Sequence, residues 1–377
     1  HDKEFEAEML RCIATGGGWK DVFTWQKRIK VSQEFLDEME RRHQYNHLSY
    51  IYFIGFNYIN QAYKNALEGD YDESVHFNKA LKLAEIVGNR RSVFFAWHKL
   101  IVLYTTVGKF NKIEKYYQKC LEICVQDNRK EDEAEIYNGQ GYTYLVVGKH
   151  DYADEYFEKS VELFLESQNA SLLLETLYNM TMNAIAIEQY DDVLYYTGYI
   201  LRMMKLLKKE RLRICNISKL YGLLTIAYIK LGKIYDAKLY LDKIRLVLRH
   251  ILKADGEPEY IHWEDDTFLY YMIEGMICMS EGNTDGAAEA FEKDIELLQI
   301  FDGKQNYILP QFIFEVSMLY DITGKPDKKD RIISETLKYM KKGGYNFQVE
   351  RLENLQNGIE LKWSDNHKPV KRLSPET

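Results

Sequence analysis

Three clusters in this chain hold residue types that could do chemistry. Cys120 and Cys124 stand four apart, which puts both thiols on one face of a helix, where a pair can hold a metal or sense redox state. His262, Glu264, Asp265 and Asp266 bring an imidazole and three carboxylates together as a metal site would. Gly16, Gly17 and Gly18 supply the bare backbone of a phosphate-binding loop.

None of the three is complete. The five cysteines, Cys12, Cys120, Cys124, Cys215 and Cys278, are scattered, and no second Cys/His pair stands at zinc spacing, so they read as buried thiols of a reducing cytoplasm. The His262 cluster reads better as an inserted loop whose Asp266 or Thr267 caps the next helix and whose acids favour its positive end. The glycine triplet runs into Trp19, Lys20 and Asp21, without the adjoining Lys and Ser/Thr that a phosphate loop needs. HExxH and the nucleophile elbow are absent too, so neither an enzyme, a cofactor nor a bound metal is expected.

The elements that carry these residues are helical. The 377 residues include only 5 Pro, with 46% hydrophobic and 29% charged residues and 30 Tyr, which suits many amphipathic helices. No run of about 18 apolar residues offers a membrane span, and the opening HDKEFEAEML has no signal-peptide pattern. A net charge of −8 argues against general nucleic-acid binding. The start at His1, without an initiator Met, suggests a piece of a longer protein.

The helices recur. Glycines at 69, 108, 148, 232, 282 and 324, with Glu188 filling the one gap, are spaced by 39, 40, 40, 44, 50 and 42 residues, a period that holds two helices. Eleven positions before each mark stand Tyr58, Trp97, Tyr137, Leu177, Tyr221, Tyr271 and Ile313; four before stand Asn65, Tyr104, Tyr144, Ala184, Tyr228, Cys278 and Tyr320. Five after the mark the residue is mostly small or β-branched, as in Ala153, Val193, Ala237 and Ala287, and bulky residues return eight or nine after. The glycine permits the turn, and the small residue lets the second helix approach the first.

This order resembles the tetratricopeptide repeat: Trp97, Leu100 and Tyr104 in one unit, and Tyr137, Gly141, Tyr144, Gly148, Ala153 and Phe157 in another. HEAT or armadillo repeats share the period but lack the order. The resemblance implies an all-α fold, a right-handed superhelix of about seven repeats (an α-α solenoid). Units of about forty residues, without the usual terminal Pro, imply helices a turn longer than the roughly 34-residue norm. In that style the chain is similar to bacterial sensory regions, including peptide-pheromone receptors and segments placed ahead of output domains.

The expected organisation is an N-terminal helical segment (1–46), the repeat array (47–343), a capping helix (344–363) and a polar tail or linker (364–377). The basic run KLLKKERLR, Lys205 to Arg213, reads as a solvated helix end between repeats.

In such a solenoid the first helix of each unit lines the concave face. Ten and six positions before the marks, this register offers His98, Asn138, Tyr142 and Tyr178, with Asn179 and Asn183 one step round, then Met272, Met276, Phe314 and Met318. Asn and Tyr suit an extended peptide backbone, and the Met and Phe strip suits an amphipathic helix or an apolar side chain. The strip could equally be core. The expected function is a cytoplasmic, bacterial-type regulatory module binding a peptide or protein segment and acting on a linked output domain or partner. Neither nucleic acid nor membrane is expected as a direct partner, and homo-oligomerisation stays open. The alternatives are a constitutive assembly scaffold and, with Asn138 and Lys219 as a partial set, a clamp for a chain-terminal carboxylate.

Overall fold

The computed structural model describes residues 110–206, 217–252, 263–300, 309–343 and 346–357, together with isolated positions between 34 and 104. The first repeat, most of the N-terminal segment, Cys12, Cys215, residues 207–213 of the basic run, the 253–262 stretch with His262, and everything after 357 lie outside the described residues. The chain divides into two compact units, one of 1–107 with 253–261, the other of 108–252 with 262–377. In the first, Val93, Phe94, Leu100, Ile101 and Tyr104 are helical and buried.

The second unit is helical at every described element. After a 3-10 turn at Phe110–Lys112 come α1 (Glu114–Gln126), α2 (Lys130–Val146), α3 (His150–Ser167), α4 (Ala170–Ala186), α5 (Tyr190–Leu206), α6 (Ile217–Lys230), α7 (Ile234–Leu252), α8 (Trp263–Ser280), α9 (Thr284–Ile300), α10 (Leu309–Ile322), α11 (Pro326–Gly343) and α12 (Asn346–Gln356). From α2 to α11 these make five antiparallel hairpins stacked in chain order, and α12 packs on α10 and α11. The architecture is an α-α solenoid, and helices of 17 and 18 residues in α2 and α3 match the long repeat.

The mark positions explain the turns. Gly148, Gly232, Gly282 and Gly324 all have left-handed backbones, φ 65 to 78°, where a side chain is strained. The residue after each mark donates its N–H to the carbonyl four before the mark. The bonds Lys149 to Tyr144, Gln189 to Ala184, Lys233 to Tyr228, Asn283 to Cys278 and Lys325 to Tyr320 are each 2.8 Å. This closes the first helix by satisfying a carbonyl its end would leave orphaned.

The hairpins close through a missing side chain. A Cβ at Gly141 would lie 2.6 Å from the Phe157 ring, and one at Gly275 would lie 2.2 Å from Phe291. Both rings are fully buried. Where the second helix carries Thr197 instead of Phe, the first carries Thr181, so the repeats trade volume across the same contact. Half-buried tyrosines flank it: Tyr156 stacks on Tyr144 at 5.3 Å, Tyr240 on Tyr228 at 5.7 Å, and Lys159 and Lys243 lie 4.6 and 3.9 Å from the Tyr156 and Tyr240 rings.

One expectation changes here. Helix α8 begins at Trp263, so Asp266 and Thr267 fall inside it rather than capping it. Glu264, Asp265 and Asp266 then fall in its first turn. Cys120 and Cys124 share a face of α1 and are buried in the core, in line with their reading as buried thiols, and burial pushes the Cys124 thiol up to about 12 and Cys120 higher still.

Asp294 on α9 is the odd member of the core. It is fully buried and neither carboxyl oxygen has a partner, whereas Ser160, twelve after its own mark as Asp294 is, bonds the Ala134 carbonyl at 2.8 Å and Thr176 at 3.1 Å. Burial, and secondarily Glu274, push the Asp294 carboxyl up to about 10.

Gly275→Ala should therefore lower stability by about 1–3 kcal/mol in urea unfolding, and Phe291→Leu in the same chain should recover part of that loss. Asp294 keeps its proton in the folded chain after the unfolded chain has lost it, so stability should fall as pH rises from about 4 towards about 10. Asp294→Ile, the residue type at the equivalent positions 200 and 244, should flatten that slope and raise stability at pH 7 by about 1–3 kcal/mol, read from urea melts across pH.

Candidate functional site

The first helices α2, α4, α6, α8 and α10 carry the residues expected to line a groove. On α2 and α4 the polar set is brought together. Asn179 donates its amide N–H to Asn138 Oδ1 at 2.9 Å, joining neighbouring repeats, and Asn138 is buried while Asn179 is half-buried. Tyr142 and Tyr178 are half-buried on the same two helices. His98 is half-buried in the other compact unit, its ring 6.0 Å from Phe94.

Asn183 has a different role. Its Nδ2 donates to Asp154 at 2.7 Å and to the His150 carbonyl at 3.2 Å, so its Oδ1 is left facing His150 Nδ1 at 2.7 Å. An amide oriented by two acceptors can only accept on its other side, so His150 carries its proton on Nδ1. Asn183 is fully buried and fastens α4 to the start of α3, so it presents nothing to a ligand.

The apolar strip splits as well. Met272 and Met276 were expected to line the groove, but they are 0% and 1% exposed and belong to the core. The reason is Gly222, whose Cβ would meet Leu269 at 2.3 Å: without a side chain there, α8 closes onto α6. Phe314 is half-buried with the Lys230 ammonium 5.8 Å from its ring, and Met318 is 39% exposed.

Periodicity missed the charged groups of this half. Lys230 at the end of α6 donates to Glu315 on α10 at 2.6 Å, reaching past α8, with side chains 25% and 6% exposed. Arg351 on α12 meets Glu188 at 3.5 Å, three repeats back in the chain. Tyr190 has Glu188, Glu315 and Arg351 about it; burial raises its hydroxyl far above the usual tyrosine range, with the two carboxylates adding. Burial lowers the Arg351 guanidinium, opposed by Glu188 and Tyr190. The one sequence signal for this cluster is Glu188 itself, standing where the other marks have glycine.

Glycine-turned hairpins and rings seated on a bare helix backbone define a helical-repeat scaffold. Residues 92–166 match the family model of the tetratricopeptide repeat. No curated protein matches the chain. Among solved structures it is similar in fold to BtubC from P. vanneervenii (16% identity, TM-score 0.53, 63% of this chain and 96% of that one). It is likewise similar to a Rap protein solved with Competence and Sporulation Factor (13%, 0.51, 89% and 96%) and to apo RapI (14%, 0.51, 89% and 94%). The chain carries tetratricopeptide repeats and shares the fold of these proteins. Among the described residues, no helix is long and apolar enough to cross a membrane.

Asn183→Ala removes the bonds to Asp154, to the His150 carbonyl and to His150 Nδ1 and should cost about 1–3 kcal/mol in urea unfolding, more than Asn179→Ala, which removes the bond to Asn138. Equal losses would contradict the division of roles between the two asparagines.

Proposed function

We propose that this chain is a regulatory repeat module that binds an extended peptide or protein segment along α2 and α4. The observation that carries the reading is the Asn138–Asn179 pair between the half-buried Tyr142 and Tyr178. Each amide is bonded to the other, and each can exchange that bond for a backbone N–H or C=O without leaving a polar group stranded. The tyrosines supply flat apolar area at small entropic cost. A solved relative in fold is a Rap protein held with Competence and Sporulation Factor, which supports a ligand of this kind.

Phe314 and Met318 are the apolar continuation. A bound segment that touches more than one repeat favours the arrangement of repeats that fits it, and a linked output domain or partner reads the change. A catalytic role is no part of this reading. The scaffold alternative differs in one respect: it needs no ligand-dependent change.

The test is a thermal-shift screen of the chain against a synthetic library of short peptides, repeated with Asn138→Ala plus Tyr178→Ala. A ligand at a hundred times its Kd should add about 2.7 kcal/mol to the wild-type chain and little to the double variant. Stabilisation that survives both substitutions would place the ligand elsewhere. A screen without any shift would favour the scaffold.

A further inference from the structure

We propose that the outer face of α7 docks an amphipathic helix of a partner protein, apolar where it meets Tyr235, Leu239 and Leu246 and basic along the edge that meets α9. These three side chains are 84%, 47% and 56% exposed. At about 100° per residue they fall within about 40° of one another around the helix, opposite Ala237, Ile244 and Leu248, which are buried. The hairpin itself is closed by other residues of α7: Tyr240 stacks on Tyr228, and Lys243 lies over Tyr221 and Tyr240.

Elsewhere in the array this register belongs to solvent. Three, seven, ten and fourteen positions after the mark, α3 carries Asp151, Glu155, Glu158 and Glu162, and α9 carries Asp285, Glu289, Glu292 and Glu296, where α7 carries Tyr235, Leu239, Asp242 and Leu246. Positions that two other second helices give to carboxylates are here given to apolar groups, and covering them is favoured by about 25 cal/mol per Å².

Charge selects the occupant. The hairpins stack in chain order, and Lys238 reaches from α7 to Glu281 at the turn into α9 at 2.5 Å, so α9 borders the stripe on that side. All four of its outward acids are exposed, and among the described residues only Glu289 is in an ion pair, with Lys293 at 2.9 Å. On the other side α5 reads Asp191, Tyr195, Gly198 and Arg202 in the same register, without net charge. The charges of α7 beside the stripe are paired, Lys238 with Glu281 and Asp242 with Arg245 at 3.0 Å. The negative field thus lies along one edge, where it draws Lys or Arg and repels a second copy of a chain whose net charge is −8. This surface belongs to the second helices, so it is independent of whether a peptide binds along α2 and α4.

The test is fluorescence anisotropy of the full chain with two labelled synthetic helices of about 18 residues, alike in a leucine stripe spaced as in α7 and carrying Lys or Glu along one flank. The Lys helix should bind at least about tenfold tighter than its Glu twin, Leu239→Glu with Leu246→Glu should abolish its binding, and Glu292→Lys with Glu296→Lys should reverse the preference. All four positions are exposed, and an unchanged thermal melt confirms that the variants fold. Equal binding of the two helices, binding that survives Leu239→Glu with Leu246→Glu, or binding of neither would overturn the proposal. So would sedimentation showing a wild-type dimer that the same pair of substitutions converts to monomers, because the occupant would then be a second copy.

Discussion

Phenyl rings fill the volumes where Gly141 and Gly275 would carry a Cβ, and the other hairpins of the array solve the same problem with different pairs. Two helices of a repeat can meet only as closely as their facing residues allow, and close meeting is what removes the half-buried tyrosines and the small residues after each turn from water. Ala153, Val193, Ala237 and Ala287 are all fully buried for that reason. Everything on the inner face is hung from hairpins closed in this way, so the spacing between Asn138 and Asn179 is set by contacts on the far side of their helices.

This dependence explains which parts could be read from residue order. The turns, the aromatic columns and the helix pairs repeat, and each repetition checks the others, so glycine marks and tyrosine columns in the sequence became turns and stacked rings in the fold. That Asn138 and Asn179 stand on neighbouring first helices was legible for the same reason, because both residues sit in or beside one column; the bond between them was not. Met272 and Met276 occupy the same columns and went to the core. Their fate turns on Gly222 and Leu269, a contact between repeats that a within-repeat register does not encode. Lys230 with Glu315 and Glu188 with Arg351 were out of reach as well: pairs separated by 85 and 163 positions leave no local pattern.

The inner face thus has two characters. Its α2 and α4 side holds the Asn138–Asn179 amide pair beside the half-buried Tyr142 and Tyr178, while its α6 to α12 side is engaged in ion pairs of the chain's own making. Asn183 and His150 fasten α4 to the start of α3 next to the first. The second side holds the Lys230–Glu315 pair at low exposure.

A solenoid whose units touch only their neighbours behaves as a row of weakly joined parts that can fray from either end. The Lys230–Glu315 bridge changes that description between α6 and α10, because a repeat cannot leave this stretch without first breaking a tie to a unit beyond its neighbour. Pulled by its C-terminal end, such a row would resist and then yield over several repeats at once, and in folding it would have to close a loop of 85 positions before the tie exists. Between α6 and α10 the array is therefore tied more firmly than a row of units that touch only their neighbours.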